Sequence, residues 1–342
     1  MKLRTLRAAE REPLLDLLDG WELADGWRGR DFFRRYLELD ARFADENVLV
    51  AEDAGRMIGC VQVFPREVRI AGAEVRLGGI GTVFTKPERR GRGVSRALLE
   101  RAIAAMRERG MQLSLLFAGP IELYARLGWH SWGTRAVYRL DTARGTAAPR
   151  AAVEAFEPER HLEAVSALHA AYSGGLDGTV VRDAAAWQTS LRLAGNPDEE
   201  FWVARRAGRV CAYARATMLY GVLFLLEFGR APDASDALAD VVAHVMTPRT
   251  PDAFAPQGKT SAAFRSLATG CWVEDPELAR ALDARGIAGV RLEDPGAMLR
   301  CLDAPALARR LGASARGADA AGDVLRRILP PERFVFWPSD RF

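Results

Sequence analysis

A glycine-rich loop between a short apolar run and a long amphipathic segment constrains this sequence more than any other feature. Residues 80–85 predict a strand, and a turn follows at Lys86-Pro87. Beyond the loop, apolar residues recur at helical spacing up to a stop at Gly110: Leu98, Leu99, Ala102, Ile103 and Met106. Strand, loop and helix in this order point backbone N–H groups and the positive end of the helix dipole at one place. The sequence therefore predicts an anion site there, most simply for phosphate.

The loop has its own pattern, Arg90-x-x-Gly93-x-Ser95. Neither G-x-x-x-x-G-K-[ST] nor G-x-G-x-x-G, the two common phosphate-binding patterns, is present. The pattern resembles the R/Q-x-x-G-x-G/A pyrophosphate loop of the GCN5-related N-acetyltransferases, the GNAT family, with a serine at the last position. A basic surface turn is the alternative that the residues alone leave open.

The GNAT resemblance implies that acetyl-CoA is the acetyl donor. In that family, the strand before the loop pairs with pantetheine through its backbone, and here that strand ends at Val83-Phe84-Thr85. The cofactor-binding residues implied by the resemblance are Val83, Phe84, Thr85, Arg90, Gly91, Arg92, Gly93, Val94, Ser95, Arg96, Gly119 and Pro120. No metal is implied.

A second motif follows the next apolar run. Residues 124–129, Tyr-Ala-Arg-Leu-Gly-Trp, resemble the family's Y-x-R-x-G-[FYW] element on a short helix. The resemblance implies that Tyr124 stands near the thioester sulfur and protonates departing CoA. A phenol suits this role because its pKa of about 10 keeps it protonated at neutral pH. The alternative is that Tyr124 only packs on the sheet.

The chain is long enough for two domains, and its pattern of elements occurs twice. We predict a mixed α/β protein of two tandem GNAT folds. Each is a mixed, mostly antiparallel sheet flanked by helices. The first repeat (residues 1–145) carries both motifs, and the second (residues 150–304) lacks them. Asp233 and Asp236 stand where its phosphate loop would be, and would repel a pyrophosphate. Helices and an aromatic tail (residues 305–342) complete the chain as its C-terminal segment.

This arrangement resembles the tandem acetyltransferases of the enhanced intracellular survival (Eis) type. The resemblance implies that a terminal carboxylate, on a phenylalanine in that family, acts as base, and this sequence ends on Phe342. A water chain is the alternative base. The tail holds four aromatic residues in residues 334–342 and is therefore expected to be buried, either at the cleft or only against the second repeat. Histidine bases are not expected: His130 reads as structural or exposed, and His161, His169 and His244 as ordinary residues of the second repeat.

Composition limits the other classes of function. The net charge of +3 is too small to indicate nucleic-acid binding, and no apolar run reaches the roughly 18 residues of a membrane span. The four scattered cysteines show no metal spacing and suit a reducing cytoplasm. Arginine and alanine usage is typical of bacterial high-GC coding. A homo-oligomer stays open.

The sequence thus predicts an enzyme, an acetyl-CoA-dependent N-acetyltransferase acting on a primary amine of a small molecule or a lysine side chain. A non-catalytic acyl-CoA sensor or regulatory module is the alternative from another class. Transfer of a longer acyl group is also left open, because pocket shape sets acyl length.

Overall fold

The computed structural model describes residues 1–23, 27–140, 149–194, 199–219, 222–246, 266–312 and 321–342. The strands are β1 (Lys2–Thr5), β2 (Val48–Asp53), β3 (Arg56–Ile70), β4 (Ala73–Thr85), β5 (Leu113–Phe117), β6 (His130–Leu140), β7 (Ala152–Ala155), β8 (Glu200–Arg206), β9 (Arg209–Leu219), β10 (Val222–Arg230), β11 (Ser266–Thr269) and β12 (Ile287–Cys301). The helices are α1 (Arg11–Leu18), α2 (Gly29–Leu39), α3 (Val94–Glu108), α4 (Ile121–Ala125), α5 (Pro158–Gly174), α6 (Ala184–Leu193), α7 (Ser235–Met246), α8 (Pro276–Asp283), α9 (Ala304–Arg310) and α10 (Ala321–Ile328).

All twelve strands form one continuous mixed sheet in the order β1-β2-β3-β4-β5-β12-β6-β11-β10-β9-β8-β7. The order is a palindrome if each strand of the first repeat is matched with its counterpart six strands later. In both halves the pairing is antiparallel except for one parallel pair, β4 with β5 and β10 with β11. The internal duplication inferred from the sequence is therefore visible in the sheet.

The two repeats exchange their last strands. β6 of the first repeat lies between β12 and β11, and β12 of the second repeat lies between β5 and β6. A long antiparallel ladder joins β6 to β12, from Leu140 opposite Ile287 to His130 opposite Leu299. We expected the run at residues 135–140 to close the sheet of its own repeat, and this was wrong because the strand pairs across the duplication.

The sequence pattern predicts separate strands at residues 57–63 and 67–77, and this was wrong because the chain turns between Ile70 and Ala73 and forms the two long strands β3 and β4. The apolar spacing at residues 235–246 predicts a helix, and α7 has these bounds. Helix α6 and strand β12 were not predicted. The proline-rich loop at residues 247–260 and most of the linker at residues 142–149 lie outside the described residues. Among the described helices, none is both long and apolar enough to cross a membrane.

The two faces of the sheet are covered differently in the first repeat. Helix α3 buries its apolar side on one face, together with Ile80 and Leu116 of β4 and β5. The C-terminal segment covers the other face, where Phe334 and Phe336 join a cluster with Leu77 and Leu115. The alternate residues, Val335 and Trp337, belong to the core of the second repeat. The aromatic tail is thus buried, as predicted, and packs against both repeats.

Candidate active site

The site is built at the point where two parallel strands part. The pairing of β4 with β5 ends at Ile80 opposite Leu116, so the last residues of β4 have no partner in β5. On its other side β4 carries a bulge, because two of its residues, Thr82 and Val83, lie opposite one residue of β3. Thr82 has a φ of 51°, the left-handed region that a threonine seldom occupies. The apolar pattern of residues 80–85 predicts a regular strand and gives no sign of this bulge.

The glycine-rich loop leads from β4 into α3 and leaves open space before the helix. Gly91 and Gly93 have φ values of 73° and 76°, and a Cβ on either would meet no atom within 4 Å. Left-handed backbone explains the glycines, and the open space gives a ligand access to the loop backbone. Gly93 precedes the first residue of α3, whose N-terminus has no side-chain cap. The loop therefore presents uncapped N–H groups to an open surface.

The departure from the family pattern at Ser95 has a structural role. Its hydroxyl lies 2.8 Å from that of Thr85, so the first turn of α3 is tied to the end of β4. Arg90 donates from Nε to the Thr85 carbonyl at 3.3 Å. A glycine or alanine at position 95 would lack the first of these bonds.

The loop arginines divide into paired and unpaired side chains. Arg96 forms an ion pair with Glu100 at 2.9 Å, one turn along α3. Within the described part of the chain, Arg92 has no carboxylate partner, and neither has Arg90. Both are exposed. They are the charges available to a phosphate group at this loop.

Tyr124 lies on α4 and is 7% exposed. Its ring meets Trp129 edge-on, with centroids 6.2 Å apart, and it belongs to the same buried cluster as Ile80 and Leu116. Among the described residues, its hydroxyl has no hydrogen-bond partner. Burial raises the pKa of the phenol above its ordinary value of 10.0, so the side chain stays protonated at neutral pH.

Phe342 lies on the opposite face of β4. Its ring stacks on Phe64 at 5.2 Å and lies 6.0 Å from Phe117 at the end of β5. A Cβ at Gly79 would overlap this ring, and a Cβ at Gly81 would lie 3.4 Å from the carboxyl oxygen of Phe342. The absence of side chains at these two strand positions is what admits the tail. The structure thus brings the Phe342 carboxyl group to the place where β4 leaves β5.

The other predicted contacts fall into two groups. Val83 packs against the cluster that contains Tyr124, and Gly119 and Pro120 are exposed at the start of α4. Phe84 points the other way: its side chain is buried against Trp21, with centroids 5.7 Å apart. Its side chain therefore belongs to the core cluster formed with α1 and α2 and is not available to a ligand.

Comparison with known proteins agrees with this geometry. Residues 3–131 match the family described as the acetyltransferase (GNAT) domain. Residues 3–131 form a GNAT domain. The matched stretch covers the glycine-rich loop and Tyr124.

The relatives are similar over part of their length. An uncharacterized N-acetyltransferase of Streptomyces griseus is 29% identical over 161 residues, which are 44% of this chain and 39% of that protein. A mycothiol acetyltransferase of Thermobispora bispora is 28% identical over 149 residues, 41% of this chain and 50% of that protein. The chain thus spans half or less of these curated relatives.

The fold is shared over more of the chain than the sequence. The crystal structure of Eis1 from Mycobacterium abscessus superposes with a TM-score of 0.60 at 18% identity, covering 89% of this chain and 74% of that one. Because this coverage includes both halves of the palindromic sheet, the prediction of two GNAT-like folds is confirmed. The domain boundaries stay predictions.

The second repeat has a filled counterpart of the GNAT phosphate loop. Arg230 binds both carboxylate oxygens of Asp275, at 2.9 and 3.0 Å, and donates to the Pro232 carbonyl at 2.6 Å. Asp236 accepts from the N–H of Ala237 at the start of α7 and is paired with Arg206. A carboxylate and its partners thus occupy the place that an anion would take.

The histidines do not reach the GNAT site by any contact in the described residues. His130 is exposed. His161 and His169 lie on α5, as expected for helix residues, and are 3% exposed. Burial, together with the nearby Arg182, lowers the pKa of His169 to about 3, so this side chain is a neutral core residue. No cluster able to hold a metal ion occurs among the described residues.

The contact between Gly79 and Phe342 gives a first prediction. Gly79→Val should displace the ring and lower the free energy of unfolding by about 1–3 kcal/mol, as overpacked substitutions do. Turnover should fall because the carboxyl group moves, whereas acetyl-CoA binding should hold because the phosphate loop is untouched. Thermal melting measures stability, release of the CoA thiol measures turnover, and titration measures acetyl-CoA binding. Ala73→Val at the start of β4 is the control. Wild-type melting and turnover in Gly79→Val would contradict the described contact.

Proposed function

We propose that this protein is an acetyl-CoA-dependent N-acetyltransferase acting on a primary amine of a small molecule or of a lysine side chain. One observation carries the proposal. Tyr124, buried and protonated, packs in the cluster on the α3 face of β4 and β5, and the Phe342 carboxyl group lies on the opposite face of β4. A proton donor and a proton acceptor on opposite faces suit an acyl transfer in which donor and amine approach from opposite sides.

Binding of the donor follows from the loop. Its pyrophosphate would meet the N–H groups of residues 91–95, with Arg90 and Arg92 beside them. Pantetheine would run along the unpaired edge of β4 toward the bulge. There the N–H of Val83 would donate to the thioester carbonyl. A fixed donor of this kind stabilises the oxyanion that forms when the carbonyl is attacked.

The proposed reaction balances with the residues present. The amine nitrogen attacks the carbonyl carbon, and the carbon–sulfur bond breaks. The Phe342 carboxylate takes the proton that the nitrogen loses, directly or through water. Tyr124 gives its proton to the thiolate, so the products are an N-acetyl amide and free CoA. An amine with a pKa of about 10 arrives mostly as the cation, which a nearby carboxylate attracts, and it must release one proton to water before the nitrogen can attack.

Three further points belong to the proposal. The mycothiol acetyltransferase of Thermobispora bispora supports a small-molecule acceptor. The described cysteines are all free thiols, which suits a reducing cytoplasm. A homo-oligomer stays a prediction.

The experiment that tests the function measures release of the CoA thiol with a panel of amines. The panel contains an aromatic monoamine, a polyamine, an amino sugar, an aminoglycoside and a lysine peptide, each with acetyl-, propionyl- and hexanoyl-CoA. We expect amine-dependent release, fastest with acetyl-CoA. Tight acyl-CoA binding without release across the panel would favour the sensor.

The carboxyl group has a separate prediction. Extending the chain by three glycines past Phe342 should leave melting and acetyl-CoA affinity near wild type, because the aromatic residues still pack. Turnover should fall by about 100-fold or more, since general base catalysis contributes roughly that much. Insertion of three glycines at the exposed Gly55 turn is the control. Unchanged turnover in the extended chain would assign the base to water.

A further inference from the structure

A buried ionic cluster lies beneath the last turn of the tail. The side chains of Arg182 and Glu227 are 0% exposed and that of Asp340 is 6% exposed. Arg182 donates to both carboxylate oxygens of Asp340 at 2.9 Å, and to Glu227 at 3.1 Å through its other nitrogen. Ser339 receives a bond from Arg182 at 2.8 Å and donates to Glu227. Buried side chains of the second repeat thus hold residues 339 and 340 by hydrogen bonds and ion pairs.

Side chains of neighbouring elements extend this network of hydrogen bonds and ion pairs. Ser190 of α6 donates to the Ser339 carbonyl at 3.3 Å and is itself bound by Arg215 at 2.8 Å. Arg215 is also paired with Glu199. Although burial by itself would raise it, the two guanidinium groups hold the pKa of the Glu227 carboxyl below its usual range. Glu227 therefore presents a fixed negative charge to Arg182.

This anchor ends immediately before the proposed catalytic group. Asp340 is two residues from Phe342, and Arg341 between them is held too. Its guanidinium lies 4.0 Å from the centre of the Phe117 ring and donates to the Gly270 carbonyl at 3.2 Å. Few backbone rotations remain between the anchored residues and the Phe342 carboxyl group, so the anchor limits where that group can lie.

Glu227 occupies the counterpart of the site in the first repeat. The parallel pairing of β10 with β11 ends at Leu225, and a bulge follows before Glu227. In the first repeat the pairing of β4 with β5 ends at Ile80, and the bulge at Thr82 and Val83 follows. The second repeat thus keeps the parting strands and the bulge, and fills the position with a buried carboxylate that receives the tail.

An ionic anchor is not needed for stability alone. Apolar residues of similar volume usually stabilise a core at least as well as a buried ion pair, whereas a charged fork fixes direction. We propose that Arg182 and Asp340 are positioning residues: the second repeat holds the tail so that the Phe342 carboxyl group stays at the opening between β4 and β5. This inference rests on the proposed function, and it assigns the degenerate repeat a part in the reaction of the first.

The test replaces Asp340 by asparagine, which keeps the shape and removes the charge. We expect kcat to fall by about 100-fold, the loss that a displacement of about 1 Å can cause, with acetyl-CoA affinity unchanged. Carboxypeptidase A, which removes terminal aromatic residues, should release Phe342 from Asp340→Asn faster than from wild type. If Asp340→Asn does not fold, Ser339→Ala serves as the second variant. It keeps every charge and should lower kcat by a smaller factor, about tenfold.

The matched control is Asp240→Asn. Asp240 is also buried in the second repeat and paired with an arginine, Arg285, but it contacts Arg150 and Ala151 and not the tail. It should lower the melting temperature and leave kcat and the release of Phe342 unchanged. An equal loss of kcat in Asp240→Asn would overturn the inference, because the effect would be general destabilisation.

The outcomes separate this inference from the proposed function. If wild type shows no turnover with any amine of the panel, the function fails, and the rate of Phe342 release still reports whether the anchor holds the tail. If wild type turns over and Asp340→Asn releases Phe342 quickly with unchanged kcat, the function stands and the positioning role is wrong. Unchanged release and unchanged kcat would also overturn the role.

Discussion

Tyr124→Phe should keep acetyl-CoA affinity and lower kcat by roughly 100- to 10,000-fold, the range of a lost general acid. The ring keeps its edge-on contact with Trp129, and only the hydroxyl is removed. Because burial raises the pKa of the phenol above 10.0, Tyr124 stays protonated, and wild-type kcat should not decrease through its deprotonation at any pH below about 10. Steady-state kinetics from pH 6 to 10 measures both effects.

The control for this variant is Tyr138→Phe. Tyr138 is a buried tyrosine of β6, 5% exposed, in the core of the second repeat. Loss of the Tyr138 hydroxyl should leave kcat unchanged. If Tyr124→Phe also turned over at the wild-type rate, the thiolate would leave without this acid or take its proton from water.

Gly93→Asp should abolish acetyl-CoA binding. The residue has a φ of 76°, so any side chain there is strained by about 1–2 kcal/mol, and an aspartate would also cap the N–H groups meant for phosphate. Its charge would repel the pyrophosphate. Titration calorimetry should give one site per chain for wild type and none for the variant.

Two results would contradict this prediction. Gly72→Asp places the same residue at a turn with a φ of 78°, also with no atom within 4 Å of its Cβ, so it reproduces the strain without the site. Equal loss of binding in both variants would point to unfolding. A wild-type stoichiometry near two would show that the second repeat binds the donor despite Asp236.

The local parts of the site could be predicted from the sequence. The glycine-rich loop, α3 and Tyr124 lie within one strand-loop-helix segment and the next turn, where spacing and glycines define the geometry. The strand glycines at positions 78, 79 and 81 were a further signal, because glycine weakens a strand unless something lies close to it. Gly79 and Gly81 admit the tail, whereas Gly78 makes room for the side chains of Met106 and Met111.

The remaining parts depend on contacts that are distant in sequence. The exchange of β6 and β12 depends on a ladder between residues more than 100 positions apart, and the sequence pattern of neither strand identifies its partner. The same holds for Arg182, which reads as a loop arginine and meets Asp340 only in the fold. Hydrophobic periodicity does not predict contacts between residues that are so distant in sequence.

Transfer of the acetyl group can be followed directly with a labelled donor. Wild-type protein is incubated with acetyl-CoA carrying a deuterated acetyl group and with the best amine of the panel, and the amine is analysed by mass spectrometry. We predict that the labelled acetyl group appears on the amine nitrogen in amounts equal to the CoA released, and that Tyr124→Phe slows both equally. Release of CoA with labelled acetate and no labelled amine would contradict the account, because the protein would then be a thioester hydrolase.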